Sequence, residues 1–162
     1  MKVFGLAIDP VTNTPIVILK DTEEKSAIPI WIGLFEASAI ATELEKISFS
    51  RPMTHDLLNE MLKVLDVTIA RIVITDLKNN TFFAVIQLVQ NGEMLSIDSR
   101  PSDAIALALR ANATIFVDEK VIQKSMNIDF GRNTEDLSTC SDEKLKELLE
   151  NMSPEDFGKY KM

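Results

Sequence analysis

At 162 residues, with 46% apolar and 26% charged side chains, the chain has the composition of a soluble globular protein and the length for one domain with a substantial core. Its longest uncharged apolar stretch, residues 27–35, is broken by Pro29 and Gly33, which excludes a membrane-spanning helix there. The net charge of −8 excludes a broadly basic nucleic-acid footprint, so phosphate contacts would need a local arginine cluster, a bridging metal or an oligomer.

Along the chain, the first apolar run, Val3 to Ile8, ends at Asp9-Pro10. It is too short for a secretory core and has no small-residue cleavage site after it, so the expected location is cytoplasmic. Runs at 2–8, 15–20 and 27–32 read as three strands separated by turn-like polar segments. Residues 34–46 carry Ala37, Ile40, Ala41 and Leu44 on one helical face, and residues 54–65 carry Leu57, Leu58, Met61, Leu62 and Leu65 likewise. Strands are expected again at 67–75, 81–89 and 93–97, the last two joined across Asn91-Gly92, a dipeptide suited to a tight hairpin. A helix over 101–111, a strand at 114–117 and a helix near 119–126 follow.

A shift of 65 residues lays Ile32 on Ile97 and Ala39-Ile40-Ala41 with Leu44 on Ala104-Ile105-Ala106 with Leu109. This repeat suggests two duplicated β-β-β-α-α units, about 1–65 and 66–127, forming one α+β domain with a mixed sheet. Residues 128–162 differ in kind. Leu145, Leu148, Leu149 and Met152 fall on one helical face behind Ser141 as a cap, and Ser153-Pro154 begins a second helix. With eight acids and four bases over 133–162, this is an acidic helical tail.

The candidate chemistry is bounded by counting. The lone Cys140 excludes an intrachain disulfide, and the lone His55 excludes any two-histidine metal motif. A bound metal would be held mainly by carboxylates and carbonyls, which favours hard ions such as magnesium, manganese or calcium. Three clusters stand out. Asp98-Ser99-Arg100-Pro101-Ser102-Asp103 leads into a helix apolar all round, where free N–H groups and Arg100 could hold an anion; Pro101 and Asp103 equally suit a plain helix start. Arg51-Pro52-Met53-Thr54-His55-Asp56 offers an acid–base histidine beside a carboxylate and a guanidinium, or simply Thr54 as an N-cap. His55 and Asp56 are adjacent and point apart on a helix, so they need not act together. Trp31-Ile32-Gly33-Leu34-Phe35-Glu36 places Glu36 as a metal ligand, a raised-pKa acid or an ordinary first-turn acid.

Ile28-Pro29-Ile30-Trp31-Ile32-Gly33 with Phe35-Glu36-Ala37, then Arg51 to Leu57, then Asp98 to Ala108, closely resemble in order and spacing the signatures of the bifunctional nuclease family. Thr81-Phe82 also fits, and Ser99 stands where many members carry Ala. The resemblance covers roughly residues 1–127. It implies an α+β fold, self-association as a homo-oligomer (here a dimer) and a nuclease acting on DNA and RNA. Cleaving both polymers requires an activated water rather than the 2′-hydroxyl. In that scheme Asp98, Asp103 and either Glu36 or Asp56 hold magnesium or manganese. Arg100 and Arg51 stabilise phosphorane charge, Thr54 and Ser102 contact substrate, and His55 with Asp56 and Asp103 serves proton transfer. The alternative is a non-enzymatic oligomeric module binding an anionic ligand or a protein partner.

Overall fold

A computed structural model describes residues 1–23 and 26–125; the acidic tail and Cys140 lie outside these described residues. The elements are β1 (Lys2–Ile8), β2 (Pro15–Lys20), β3 (Ala27–Trp31), α1 (Leu34–Leu44), α2 (Thr54–Val64), β4 (Thr68–Lys78), β5 (Thr81–Gln90), β6 (Glu93–Ser99), α3 (Pro101–Ala111), β7 (Thr114–Val117) and α4 (Glu119–Ser125). The fold is α+β, as expected.

The single mixed sheet expected from the repeat is instead two sheets. β1-β2-β3 form an antiparallel meander, and β6-β5-β4-β7 form a second sheet in which only the β4–β7 pairing is parallel. The order of three strands and two helices holds through α2; in the second half β7 intervenes between α3 and α4. Pro29 is tolerated within β3 because β3 is an edge strand. β4 runs three residues beyond the expected Thr75, past a register shift between Ile74 and Asp76. There Lys124 of α4 donates to the Asp76 carboxylate and to the Leu77 carbonyl, fastening α4 to the strand. Both tight hairpins of this sheet turn on left-handed residues, Asn79-Asn80 and Asn91-Gly92, where asparagine and glycine carry little steric penalty.

The two sheets are joined through helices. α1 packs on β2 and on α3, and α3 packs in turn on β4, β5 and β7. Ala104 to Ala108 are all buried, as expected for a helix apolar on every face. One continuous apolar cluster runs from Val17, Leu19 and Ile28 through Ile40 and Ile105 to Ile72 and Ile74.

α2 departs from its expected orientation. Its apolar stripe was expected to face the core, yet Leu57, Leu58, Met61 and Leu65 are exposed and Asn59 is its buried residue. The side turned toward the protein is the one carrying His55, Asp56, Asn59 and Leu62. Polar pairing at the helix start, described next, decides which way α2 faces.

Candidate active site

The site forms where the β3–α1 junction, the start of α2 and the start of α3 meet. Arg100 is the N-cap residue of α3, with Pro101 in the first turn and Asp103 as its first-turn acid, a local arrangement favoured by the proline φ and the helix dipole. Arg100 Nε and Nη2 donate to Asp103 Oδ2 and Oδ1 at 2.7 and 3.1 Å. Its Nη1 donates to Glu36 Oε1 of α1 at 2.8 Å. His55 Nε2 lies 3.2 Å from Asp103 Oδ1. One guanidinium and one carboxylate thus connect three helix starts.

Burial of Asp103 opposes its ionisation, but the hydrogen bonds from Arg100 and His55 outweigh it and hold the carboxyl below its ordinary value. An ionised carboxylate only accepts, so His55 Nε2 is the donor in this contact. The Asp103 contacts, followed by that to Glu36, raise the Arg100 pKa further. The Arg100 side chain is nevertheless 65% exposed, and a guanidinium has five N–H donors. Among the described residues three are used, and the other two are open to an incoming oxyanion.

Asp56, adjacent to His55, is directed elsewhere. Its Oδ2 accepts from the Met53 N–H at 2.9 Å and its Oδ1 accepts from Arg110 Nε. Met53, rather than the expected Thr54, is therefore the N-cap residue, and Thr54 is the first helical residue. The first-turn Asp56 carboxylate satisfies the backbone donor of the cap, and the Thr54 hydroxyl is not needed. Arg110 also donates to the Ala39 and Ala106 carbonyls at 3.0 Å each, so it ties α1, α2 and α3 together. Burial opposes ionisation of Asp56 too, and the Arg110 and Met53 hydrogen bonds overcome it and lower its pKa. Sequence reasoning missed Arg110. The available signal was a lone cation in the last turn of an otherwise apolar helix, since a charge buried there must find partners.

Glu36 is only partly exposed and ion-paired with Arg100. An ideal Cβ on Gly33 would lie 2.2 Å from Glu36 Oε2, so the glycine makes room for the carboxylate to fold back over the helix start. Arg51 and Thr54 lie exposed at the entry to α2, and buried Ser102 lines a cavity beside Arg100. Asp98 does not join the cluster: it is exposed on β6, opposite Val85 of β5. The expected metal set of Asp98, Asp103 and Glu36 is thus not assembled. Among the described residues no three His, Cys, Asp or Glu side chains are placed to hold a metal, and the Arg100 guanidinium already lies between Glu36 and Asp103.

The family signature of a bifunctional nuclease domain matches residues 17–129. The chain belongs to the bifunctional nuclease domain family. "Uncharacterized protein Rv1829" of Mycobacterium tuberculosis (strain ATCC 25618 / H37Rv) is 33% identical over 161 residues, spanning 97% of this chain and 96% of that protein. "Bifunctional nuclease 1" of Oryza sativa subsp. japonica is 23% identical over 116 residues, spanning 70% of this chain but 35% of the rice protein. In this bifunctional nuclease domain all three sequence clusters contribute to a single contact network, through Glu36, His55, Arg100 and Asp103. No helix among the described residues is long and apolar enough to cross a membrane.

Proposed function

We propose that the protein hydrolyses phosphodiester bonds of DNA, RNA or both at the His55–Asp103–Arg100 cluster. The observation that carries this reading is the placement of the only histidine against an ionised carboxylate that also holds an exposed arginine. Asp103 orients the imidazole through the Nε2 hydrogen bond, so that Nδ1 can take a proton from an attacking water. The two remaining Arg100 N–H donors face the charge that develops on the phosphorane oxygens. Glu36 fixes the guanidinium from the other side, and Asp56 with Arg110 holds the helix that carries His55. Arg51, Thr54 and Ser102 supply further polar contacts to the strand.

Glu36 and Asp103 are both paired with Arg100. A magnesium or manganese ion would have to displace Arg100 from Glu36 and Asp103, and chelator sensitivity tests for such an exchange. The protein is further proposed to act in the cytoplasm as a homodimer, with the exposed apolar face of α2 as the surface buried between copies.

The experiment is cleavage of plasmid DNA and single-stranded RNA by the purified full chain, with and without chelator, beside folded His55→Ala and Asp103→Ala variants. Cleavage lost in both variants is the expected result. Undiminished cleavage in both would move the activity to another site or a contaminant. Absence of cleavage in the unaltered protein would leave the anion-binding oligomeric module as the reading.

A further inference from the structure

Beside Arg100, on the side facing the β4–β5 turn, lies a cavity of about 300 Å³. Its lining includes Trp31 and Phe82, the polar Asn80, Thr81 and Ser102, and the ion-paired Glu36 and Arg100. Asp103, the partner of Arg100 in the site, is not part of this lining. Two aromatic side chains from different sheets, several polar groups and one exposed guanidinium paired with a carboxylate form a recognisable chemical combination. It matches an aromatic heterocycle bearing polar edges and attached to a phosphate.

The size restricts the ligand. A volume near 300 Å³ is at the lower end of small-molecule pockets, enough for one nucleoside and far too small for a duplex. Bases within a duplex are stacked and expose only their edges, whereas an unpaired base can be turned out and stacked on aromatic side chains. The aromatic wall is also held in place: Trp31 Nε1 donates to Asp9 Oδ2 at 3.0 Å, and Phe82 packs on the apolar core. A fixed wall avoids an ordering cost when a base enters.

Charge points the same way. A chain of net charge −8, whose exposed Arg100 is flanked by two carboxylates, gains little from counterion release. Affinity for a strand must then come from another source, and base stacking supplies it without sequence preference. We propose that the Trp31–Phe82 cavity receives one unstacked nucleobase of a single strand and thereby sets the adjoining phosphodiester on Arg100, next to His55. This rests on the nuclease reading above and adds to it a substrate class, single-stranded rather than duplex nucleic acid.

The test uses the full chain and three ten-nucleotide fluorescein-labelled probes: oligodeoxythymidylate, a wholly abasic strand with the same phosphates, and a duplex. Oligodeoxythymidylate is expected to bind about tenfold more tightly than the other two, to quench the single tryptophan, and to show a salt slope of about −1, as for one or two phosphates. Phe82→Leu, which keeps an apolar side chain of similar bulk, should remove the preference for the base-bearing strand and keep the salt slope. The tryptophan signal in the unaltered protein gives a readout that does not depend on the variant folding. Equal affinity for abasic and base-bearing strands would overturn the proposal. If such equal binding accompanies His55-dependent cleavage, the nuclease reading survives and the base pocket falls. Phe82-dependent binding with no cleavage of any nucleic acid would keep the pocket and remove the nuclease reading.

Discussion

Asp56 and Asp103 begin as near equivalents. Each is the first-turn acid of its helix, three residues after the N-cap, and each follows an Arg-Pro pair. Their partners make them different. Asp56 is paired with Arg110, whose side chain is 6% exposed and which also binds carbonyls of α1 and α3. Asp103 is paired with Arg100, 65% exposed, and with His55. The first arrangement buries the guanidinium and uses it to fasten three helices. The second leaves donors in solvent beside an imidazole. A carboxylate at the same helical position therefore serves architecture or chemistry according to how accessible its cation is.

The largest effect that sharpens this comparison is on activity. Asp103→Asn keeps the side-chain shape and removes the charge that orients His55, and cleavage should fall about 10²- to 10⁴-fold. Asp56→Asn should lower the folded fraction while the turnover of folded molecules changes far less. Equal turnover losses in the two variants would break the distinction.

Stability should show the reverse ranking. Arg110→Ala leaves Asp56 and two carbonyls without their donor, and urea denaturation should report a loss of about 2–3 kcal/mol, below the full figure for a wholly buried pair because Asp56 is partly solvated. Arg100→Ala should cost about 1 kcal/mol or less, as for other exposed pairs, together with a large loss of cleavage. If the two arginines cost the same stability, both pairs are architectural.

A smaller effect concerns the third helix start. Gly33→Ala places a methyl group on the Glu36 carboxylate, whose far end can swing away. Stability should change by less than about 1 kcal/mol, while cleavage drops severalfold. Glu36→Gln should drop it similarly, and the double variant no further, since both act by freeing Arg100.

The smallest effect is pH-dependent and lies at the cavity wall. The Trp31 indole N–H and the Val11 backbone N–H lower the Asp9 pKa from 3.8 to about 2. Between those values the unfolded chain binds more protons at this residue than the folded chain, so the stabilisation present above pH 3.8 is lost as pH falls toward 2. In thermal melts followed by tryptophan fluorescence, Asp9→Asn should flatten the decline of Tm over this window. An unchanged slope would place the acid sensitivity of the fold in Asp56 and Asp103, whose pKa values are lowered in the same sense.

The legibility of the fold varied by element. α3 and β7 have the bounds expected from sequence, because Pro101 marks the helix start and a left-handed Asn112 ends it. β4 ran long because its last residues are held by α4, an interaction no local pattern reveals. His55, Arg100, Asp103 and Glu36 were singled out as polar groups at helix starts, and they meet. Asp98 was singled out by the same reasoning and does not meet them, since strand alternation alone does not say where a β6 side chain ends up relative to the helix starts.

What the sequence by itself determined was local: the strands and helices and their proline and first-turn acid signals. Those follow from periodicity and from hydrogen bonds spanning three or four residues. Tertiary structure decided which cation each acid receives, joining partners 48, 54 and 64 residues apart. It also decided that α2 turns His55, Asp56, Asn59 and Leu62 inward and Leu57, Leu58 and Met61 outward. Burying His55 and Asp56 requires that their partners be supplied from α3, and once those pairs form at the start of α2, the rest of the helix is oriented by them.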